Sequence, residues 1–279
     1  MSKIVTLGLI QMAMSKHKEE NFSKALRMIE EAASKGAELV CLPEIFSTPY
    51  FPQERESVVK PEKIPGPTSK FLARAAIKHS IVLVGGSVYE KDGKRNYNTS
   101  IVFDKKGKML GKYRKVHIPE DEAFYEQDYF SPGDSYKVFR TPVGNVGVLI
   151  CFDQWYPEPA RACKLLGAEI LFYPTTIGTV DGINQTEGNW QDAWEGVQRG
   201  HAISNSMIVA AVNRVGTEKD MKFWGGSFVY NQFGKLLAKA GKKEEVLVVE
   251  CELDLGENVE KGWGFLKNRH PETYTKLVE

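Results

Sequence analysis

The sequence predicts an α/β fold, a four-layer αββα sandwich in which two sheets lie face to face between outer helices. Two observations indicate it. Short apolar strand patterns alternate with amphipathic helix patterns along the chain. A helix–Gly–strand–Pro segment at residues 35–44 also resembles a second one at residues 166–175, which indicates two pseudo-equivalent βαβ halves. A helix–Gly–strand–Pro order is common in α/β proteins, so a single match does not by itself require that the two halves are equivalent.

The N-terminal half contains four strand patterns and two helix patterns. Residues 21–35 carry apolar side chains at helical spacing, and Gly36 follows as a C-cap. A second helix is predicted to begin with Thr68 as its N-cap. The strands are predicted at residues 4–12, 38–42, 81–90 and 99–104, with a turn at residues 91–94 between the last two.

The C-terminal half repeats this alternation, with helices predicted at residues 157–166 and 190–206. The first of these begins with proline, which the first turn of a helix accommodates. Strand patterns lie at residues 146–151, 169–173, 207–213, 228–230 and 246–253. Ligands of sheets with parallel strands bind at the carboxyl ends of those strands. Because Glu44 and Cys151 both end such a strand, we expect them to share a site.

The composition is that of an ordinary globular protein. Of the 279 residues, 42% are hydrophobic and 26% are charged, and the formal net charge is +1. This near-neutral balance carries no electrostatic signature of a nucleic-acid partner. No apolar run approaches the roughly 20 residues that cross a membrane, and the run at the start is too short for a secretory signal. We therefore expect a cytoplasmic protein that binds neither nucleic acid nor membrane.

The motifs of nucleotide and metal sites are absent from the sequence. It contains no Gly-rich phosphate loop, and its five histidines are dispersed, with no His-Glu-x-x-His segment. The four cysteines form no Cys-x-x-Cys pair, which argues against a zinc ribbon or a disulfide framework. We interpret Cys41, Cys163 and Cys251 as buried small side chains. We expect no metal and no cofactor.

Cys151 is a candidate nucleophile. It lies between an apolar strand and the helix that begins with proline, where an elbow can present a thiol together with backbone N–H groups. A thiol needs a base or a nearby cation to become a strong nucleophile. Without such partners, Cys151 fits a structural role equally well.

Two charged residues could be those partners. Glu44 directly follows an apolar strand and Pro43, a position at which burial would raise its pKa and make it a better base near neutral pH. A solvated loop carboxylate is the alternative. Lys115 lies on the strand face opposite Arg114, where in a closed site it could stabilise an oxyanion. With Lys112 and Arg114 as neighbours, it could equally belong to a basic surface strand.

The segments around these three residues resemble the signature segments of one family. Residues 42–44 (Leu-Pro-Glu), 112–117 (Lys-Tyr-Arg-Lys-Val-His) and 149–153 (Leu-Ile-Cys-Phe-Asp) resemble, in order, the three motifs of the nitrilase superfamily of carbon–nitrogen hydrolases. The resemblance extends over nearly the whole chain. It implies the αββα sandwich, which we assign as a single domain over residues 1–279. It also implies a homo-oligomer, a dimer or a multiple of dimers, in which a C-terminal arm at about residues 255–279 could be exchanged.

The resemblance further implies a Glu–Lys–Cys triad. Glu44 would take the thiol proton, and Cys151 would attack the carbonyl carbon to form a thioester-type intermediate. Lys115 and the backbone N–H of Phe152 would hold the oxyanion. Glu44 would then activate the water that releases the product.

A second glutamate positions the substrate in many family members. Glu126 is the best match here, by its place before the segment Tyr-Phe-Ser-Pro-Gly-Asp at residues 129–134. Glu120 and Glu122 are the alternatives, although a solvated loop acid explains each of them as well.

The substrate expected from the resemblance is a carbamoyl amine. Residues 151–158, 169–175, 198–202 and 262–265 resemble the family branch that hydrolyses N-carbamoylputrescine to putrescine, carbon dioxide and ammonia. A relative that binds a carboxylate would use arginine, but Gln154-Trp155-Tyr156 stands where that arginine would follow the cysteine. The putrescine part of the substrate ends in an ammonium group, which is bound by acidic side chains or aromatic faces instead. The candidates are Asp153, Asp181, Glu187, Asp192, Glu195, Trp155, Trp190 and Trp194.

Several alternatives stay open at this point. Asp192 and Glu195 also fit a solvated helix face. The enzyme could instead be a β-ureidopropionase-like or ω-amidase-like hydrolase of another small amide. A catalytically silent interaction protein on the same fold would be expected to have lost a triad residue, and all three are present.

Overall fold

The computed structural model describes residues 3–183 and 186–278. The elements of its N-terminal half are β1 (Ile4–Gln11), α1 (Lys18–Ser34), β2 (Leu39–Cys41), α2 (Pro67–His79), β3 (Val82–Val84), β4 (Val88–Asp92), β5 (Arg95–Phe103), β6 (Met109–Arg114), β7 (Glu120–Asp121) and β8 (Phe124–Tyr125). Those of its C-terminal half are β9 (Val138–Thr141), β10 (Gly144–Val148), α3 (Pro157–Leu165), β11 (Ile170–Pro174), β12 (Gly178–Val180), α4 (Trp190–Asn205), β13 (Ile208–Val212), β14 (Val215–Glu218), β15 (Met221–Trp224), β16 (Phe228–Tyr230), β17 (Leu236–Lys239), β18 (Glu245–Glu252) and α5 (Asp254–Trp263).

Two large sheets organise the fold. The first has the strand order β18-β1-β2-β3-β5-β4, with β6 added beside β5, and the second has the order β17-β16-β13-β11-β10-β9. Strands β1, β2 and β3 run parallel to one another, as do β10, β11 and β13. Each half therefore has a parallel centre, which is the arrangement that the alternating patterns predict.

The two sheets face each other across one core, and helices cover their outer faces. Leu7 and Leu9 of β1 lie in the same apolar cluster as Val146 and Val148 of β10. Ile10, on the other face of β1, packs instead with the apolar residues of α1 and α2. Helices α3 and α4 cover the second sheet with buried side chains that include Ala160, Cys163, Trp194 and Ala202. The predicted αββα sandwich is confirmed.

The carboxyl ends of the parallel strands meet where the sheets face each other. Thr176, just after β11, donates from Oγ1 to the carbonyl oxygen of Glu44, just after β2, at 3.2 Å. The nucleophile candidate follows β10 at the same edge. The topology therefore brings residues of both halves to one place.

Some predicted boundaries are wrong for local reasons. Helix α1 begins at Lys18 rather than at residue 21, because its first turn is polar and carries no apolar signal. Thr68 is not an N-cap; it is fully buried inside α2, whose cap is Gly66. The N–H of Gly66 donates to Oγ of Ser69 at 2.7 Å, so the side chain of a serine inside the helix caps the helix N-terminus.

The strands also depart from their predicted limits. Strand β10 ends at Val148, and Cys151 begins a 3-10 helix instead of ending the strand. Strand β5 begins at Arg95 rather than at residue 99, because its polar first residues pair with β4 in a hairpin. The short strands β12, β14 and β15 form a separate three-stranded sheet that was not predicted.

The strand predicted over residues 81–90 is interrupted by two glycines. Strand β3 ends at Val84 and β4 begins at Val88. Between them Gly86 has φ +57°, and a Cβ at this position would lie 2.1 Å from the carbonyl oxygen of Pro43. The break therefore lets the chain pass directly under the strand end that carries Glu44.

The C-terminal segment and the remaining cysteines complete the fold. Helix α5 ends at Trp263, which is 61% exposed, and mostly exposed residues follow it. Cys41, Cys163 and Cys251 are buried free thiols, as predicted. Within the described ranges, no helix combines the length and the apolar character needed to span a bilayer.

We expect Gly86→Ala to be more damaging than its matched control Gly93→Ala. Both glycines have φ +57°, so both alanines incur the left-handed cost of about 1–2 kcal/mol. At Gly93 the new Cβ meets nothing within 4 Å, whereas at Gly86 it meets Pro43, which should cost about 1–3 kcal/mol more. Urea unfolding curves measure the difference. Equal losses of unfolding free energy would contradict the close approach.

Candidate active site

Cys151 lies on a sharp elbow after β10. It is 7% exposed, and its φ of +43° is unusual for a residue with a side chain. Such a conformation costs free energy and persists where the surrounding structure holds it. The 3-10 helix of residues 151–155 starts here. The elbow therefore turns the thiol out of the sheet edge toward the space between the two halves.

Asp153 holds this elbow in place. Its carboxylate accepts hydrogen bonds from the backbone N–H of Ile150 at 2.9 Å and from the hydroxyl of Tyr113 at 2.7 Å. It also accepts from the backbone N–H of His117 at 3.0 Å and from His117 Nδ1 at 2.8 Å. With four donors and no exposed surface, Asp153 faces away from the cavity described below. The structure does not bring it to the place where a substrate would contact it.

Lys115 projects inward between two buried carboxylates. It follows β6, and its Nζ lies 3.0 Å from Oε1 of Glu44 and 2.9 and 2.7 Å from the two oxygens of Glu126. None of the three side chains is more than 1% exposed. Arg114 points the other way and pairs with Glu90. The predicted opposite faces are confirmed, and the structure brings Glu126, rather than Glu120 or Glu122, to this cluster.

Two further side chains complete the hydrogen bonding of the cluster. Asn98 donates from Nδ2 to Oε1 of Glu44 at 2.8 Å, and Tyr50 donates from its hydroxyl to Oε1 of Glu126 at 2.8 Å. The other oxygen of Glu44, Oε2, is buried without a hydrogen-bond partner among the described residues. A buried carboxylate oxygen with no donor is costly. It is also free to receive a proton.

The electrostatics of the cluster follow from one cation facing two carboxylates and a thiol. Burial raises the pKa of Cys151 well above its ordinary value, Glu44 raises it further, and Lys115 opposes both. Burial lowers the pKa of Lys115, but Glu126 and Glu44 together raise it above its ordinary value. The ammonium therefore stays charged, and the thiol keeps its proton at neutral pH. A nucleophilic role for this thiol needs a base beside it.

A cavity of about 390 Å³ opens over Cys151. This volume suits a small molecule. The predicted residues Glu126, Phe152 and Trp155 line it. The other lining residues are Pro119, Glu120, Asp121, Phe124, Gln154, Thr176, Ile177, Gly178, Glu187, Trp190 and Ala193.

Only part of the predicted ammonium-binding set reaches this cavity. Glu187 and Trp190 line it, whereas Asp181 and Asp192 are exposed outside its lining. Glu195 is paired with Lys239, at 2.7 and 2.8 Å.

Trp194 was predicted to face the substrate but is fully buried. Its indole N–H donates to Oε1 of Gln154 at 2.8 Å. The face of α4 that carries Trp194 is turned into the core, which the helical pattern by itself does not reveal.

Sequence reasoning missed three residues of the site. Asn98 and Tyr50 carry no signal in their local sequence, because one is a polar residue in a strand and the other lies in a loop. Arg214 is fully buried and donates to the carbonyl oxygen of Glu44 at 2.8 Å. Arg214 comes two residues after the apolar strand β13. A charged residue just after an apolar strand is the signal that selected Glu44, and the same signal could have identified Arg214.

Two histidines near the site, His117 and His201, are hydrogen-bonded within the protein. His201 Nε2 lies 2.8 Å from the carbonyl oxygen of Gln154, and His117 binds Asp153. Among residues 3–183 and 186–278, no group of three or more His, Cys, Asp or Glu side chains is placed to hold a metal ion.

Comparison with known proteins identifies the family. The model of the carbon-nitrogen hydrolase family matches residues 6–261. An N-carbamoylputrescine amidase of Solanum lycopersicum is 36% identical, over 99% of this chain and 96% of its own length. A citrullinase of Francisella tularensis is 34% identical, covering 98% of each chain. An omega-amidase of Xenopus laevis is 36% identical, covering 96% of each chain.

A solved structure agrees with these relatives. The crystal structure of a carbon-nitrogen hydrolase from Helicobacter pylori G27 matches with a TM-score of 0.92 at 37% identity and covers 99% of each chain. The fold and nearly the full length are therefore shared. The chain belongs to the carbon-nitrogen hydrolase family and is a hydrolytic enzyme that acts on amides.

Proposed function

We propose that the protein hydrolyses the carbamoyl C–N bond of a small carbamoyl amine, N-carbamoylputrescine above all, through a covalent intermediate on Cys151. The observation that supports the chemistry is a thiol on an elbow at the floor of a cavity, beside a buried Glu–Lys–Glu cluster. The family relatives are named for three different substrates, so the group beyond the amide is argued below from the cavity itself.

Attack begins with a proton transfer. Glu44 Oε2, which has no hydrogen-bond partner within the described part of the chain, takes the proton of the Cys151 thiol as Sγ bonds to the carbamoyl carbon. The carbonyl π electrons move to oxygen, and Lys115 and the backbone N–H of Phe152 stabilise the resulting oxyanion. Because two carboxylates hold the ammonium in place before substrate arrives, it needs little reorganisation during the reaction.

Collapse of the tetrahedral intermediate breaks the C–N bond. The amine leaves with the proton that Glu44 carried, and a thioester-type intermediate remains on Cys151. Glu44 then accepts a proton from water as the water oxygen bonds to the carbonyl carbon. The C–S bond breaks, and the proton on Glu44 passes to the Cys151 sulfur, which restores the thiol. The acid that departs breaks down to carbon dioxide and ammonia when the amine product is putrescine. Glu126 fixes Lys115 and borders the substrate.

The charge of the cavity rim supports a substrate with a cationic end. The rim carries the carboxylates of Glu120, Asp121 and Glu187, and no Lys, Arg or His of the described ranges is among the lining residues. Arg55 pairs with Glu120 at 3.3 Å, which neutralises part of this charge. A substrate that ends in a carboxylate, such as N-carbamoyl-β-alanine or an ω-amide of a dicarboxylic acid, would meet like charge.

Glu187 is the carboxylate best placed to bind the distal ammonium. Its Oε2 accepts from the indole N–H of Trp190 at 3.3 Å, and hydrogen bonds from its own backbone and from Trp190 lower its pKa. It is therefore ionised at neutral pH. No Lys or Arg of the described chain pairs with it, and the ring of Trp190 beside it can contact an ammonium through its face.

Replacement of the nucleophile and of the base tests the mechanism. Cys151→Ala should abolish turnover and leave the fold intact, since little volume is removed. Glu44→Gln should lower kcat by about 10²–10⁴-fold, the contribution typical of a general base. The matched control is Cys163→Ala, a fully buried thiol on α3, which should keep its activity. Ammonia release with circular dichroism measures both effects. Full turnover by Cys151→Ala would refute the mechanism.

A substrate profile tests the proposed specificity. N-carbamoylputrescine should give a higher kcat/KM than N-carbamoyl-β-alanine and short ω-amides. Glu187→Gln should raise KM for N-carbamoylputrescine about tenfold, because it removes one charge-assisted contact, and should leave an uncharged amide unaffected. Asp181→Asn, an exposed acid of the same loop, is the control. If N-carbamoylputrescine is the poorest substrate, the specificity proposal fails.

The pH dependence follows from the carboxylate pair. Burial raises the pKa of Glu126 to about 7, against the opposing effect of Lys115. A raised pKa means that the proton is retained to higher pH, so the fully ionised pair forms as pH rises through about 7. We expect kcat/KM to increase over this range. Glu126→Gln removes this titration and should move the acidic limb to lower pH. An identical limb in both proteins would contradict the assignment.

A further inference from the structure

A buried ion pair from the second half of the chain holds the segment that carries Glu44. Arg214 has no exposed surface. Its Nη2 donates to the carbonyl oxygens of Glu44 at 2.8 Å and Ile45 at 3.1 Å, and its Nη1 lies 3.5 Å from that of Thr48. A guanidinium presents its donors in a rigid planar fork. Arg214 can therefore fix several carbonyl groups of one loop at once.

The partner of Arg214 holds the far end of the same segment. Glu218 accepts from Nη1 of Arg214 at 2.7 Å, and its other oxygen accepts from the backbone N–H of Tyr50 at 2.6 Å. Tyr50 in turn donates to Glu126. The ion pair thus contacts the backbone of two residues, Glu44 and Tyr50, whose side chains reach the buried carboxylate cluster.

The segment that the ion pair holds is conformationally strained. Ile45, directly after Glu44, has φ +46°, which is unfavourable for a β-branched residue. Such a backbone persists only where surrounding contacts fix it. The two carbonyl groups that Arg214 Nη2 binds stand on either side of the Ile45 Cα. The N–H of Ile45 donates to Oγ of Ser87 at 2.9 Å, so the strained residue is held on both sides.

We propose that Arg214 and Glu218 are positioning residues that hold the Glu44 carboxylate in register with Lys115 and the Cys151 thiol. The inference rests on the proposed role of Glu44 as the base. Neither residue touches the thiol or lines the cavity, so their effect on the reaction passes through the backbone of residues 44–50. Arg214 follows β13 of the second sheet and Glu44 follows β2 of the first. The ion pair of Arg214 and Glu218 therefore also fixes one half of the sandwich against the other at the site.

Arg214→Lys tests this proposal, because a lysine keeps the charge but lacks the fork. We expect kcat to fall about 10²-fold, the effect of a displacement of about 1 Å at a catalytic group, with KM nearly unchanged. The affinity of N-carbamoylputrescine, measured in a Cys151→Ala background, should not change. Arg199→Lys is the matched control, because Arg199 donates from Nε to the carbonyl oxygen of Gly234 at 3.0 Å.

Glu218→Gln is a second variant that keeps an acceptor for the Tyr50 N–H, and it should produce the same changes to a smaller degree. If Arg214→Lys does not fold, the kinetics of Glu218→Gln still test the proposal. A purely structural role would lower activity only in proportion to the folded fraction and leave kcat per folded molecule unchanged, and that result would overturn the proposal. Arg214→Lys should also have little further effect in a Glu44→Gln background, whereas multiplicative losses would overturn the proposal.

The outcomes separate the two proposals. Turnover by Cys151→Ala refutes the mechanism itself. If Cys151→Ala is inactive and Glu44→Gln has the expected loss of kcat, while Arg214→Lys and Glu218→Gln behave as the wild-type protein does, only the positioning role is refuted.

Discussion

A single buried ammonium held between two buried carboxylates is the interaction on which this site depends. An isolated charge inside a protein is strongly destabilising unless it is paired and hydrogen-bonded. Lys115 satisfies that condition only because Glu44 and Glu126 both reach it. One carboxylate remains in excess, and burial together with this excess negative charge keeps the neighbouring thiol protonated. The arrangement that allows the lysine to be buried is therefore also the one that places a base beside the proposed nucleophile.

That arrangement constrains the surrounding backbone. Glu44, Lys115 and Cys151 follow β2, β6 and β10, which belong to both sheets, so the sheets must meet at a defined edge for the side chains to converge. The local conformations show what this convergence requires. Ile45 and Cys151 both have positive φ, and each follows or forms a strand-end turn at the site. Asp153 and Arg214 supply the hydrogen bonds that hold these two turns.

The architecture was largely predictable from local patterns. Apolar spacing distinguishes helices from strands, and it located the main helices and parallel strands within a few residues. It failed in the polar first turn of α1, which carries no apolar periodicity, and at the strands β12, β14 and β15, which are only three or four residues long. It also failed at the break between β3 and β4, since the need for Gly86 arises from the Pro43 carbonyl of another strand end.

The fold class, the family motifs and the three residues that we propose as the triad could be read from the amino-acid sequence, because strand ends and motif spacing are local properties of the chain. Long-range packing set which polar residues share a buried environment. It brought Glu126 from an acidic stretch to Lys115, turned Asp153 toward Tyr113 and His117, and buried Trp194 against Gln154. It also joined Arg214 to Glu44 across 170 positions of sequence. These outcomes depend on long-range packing, which no local pattern encodes.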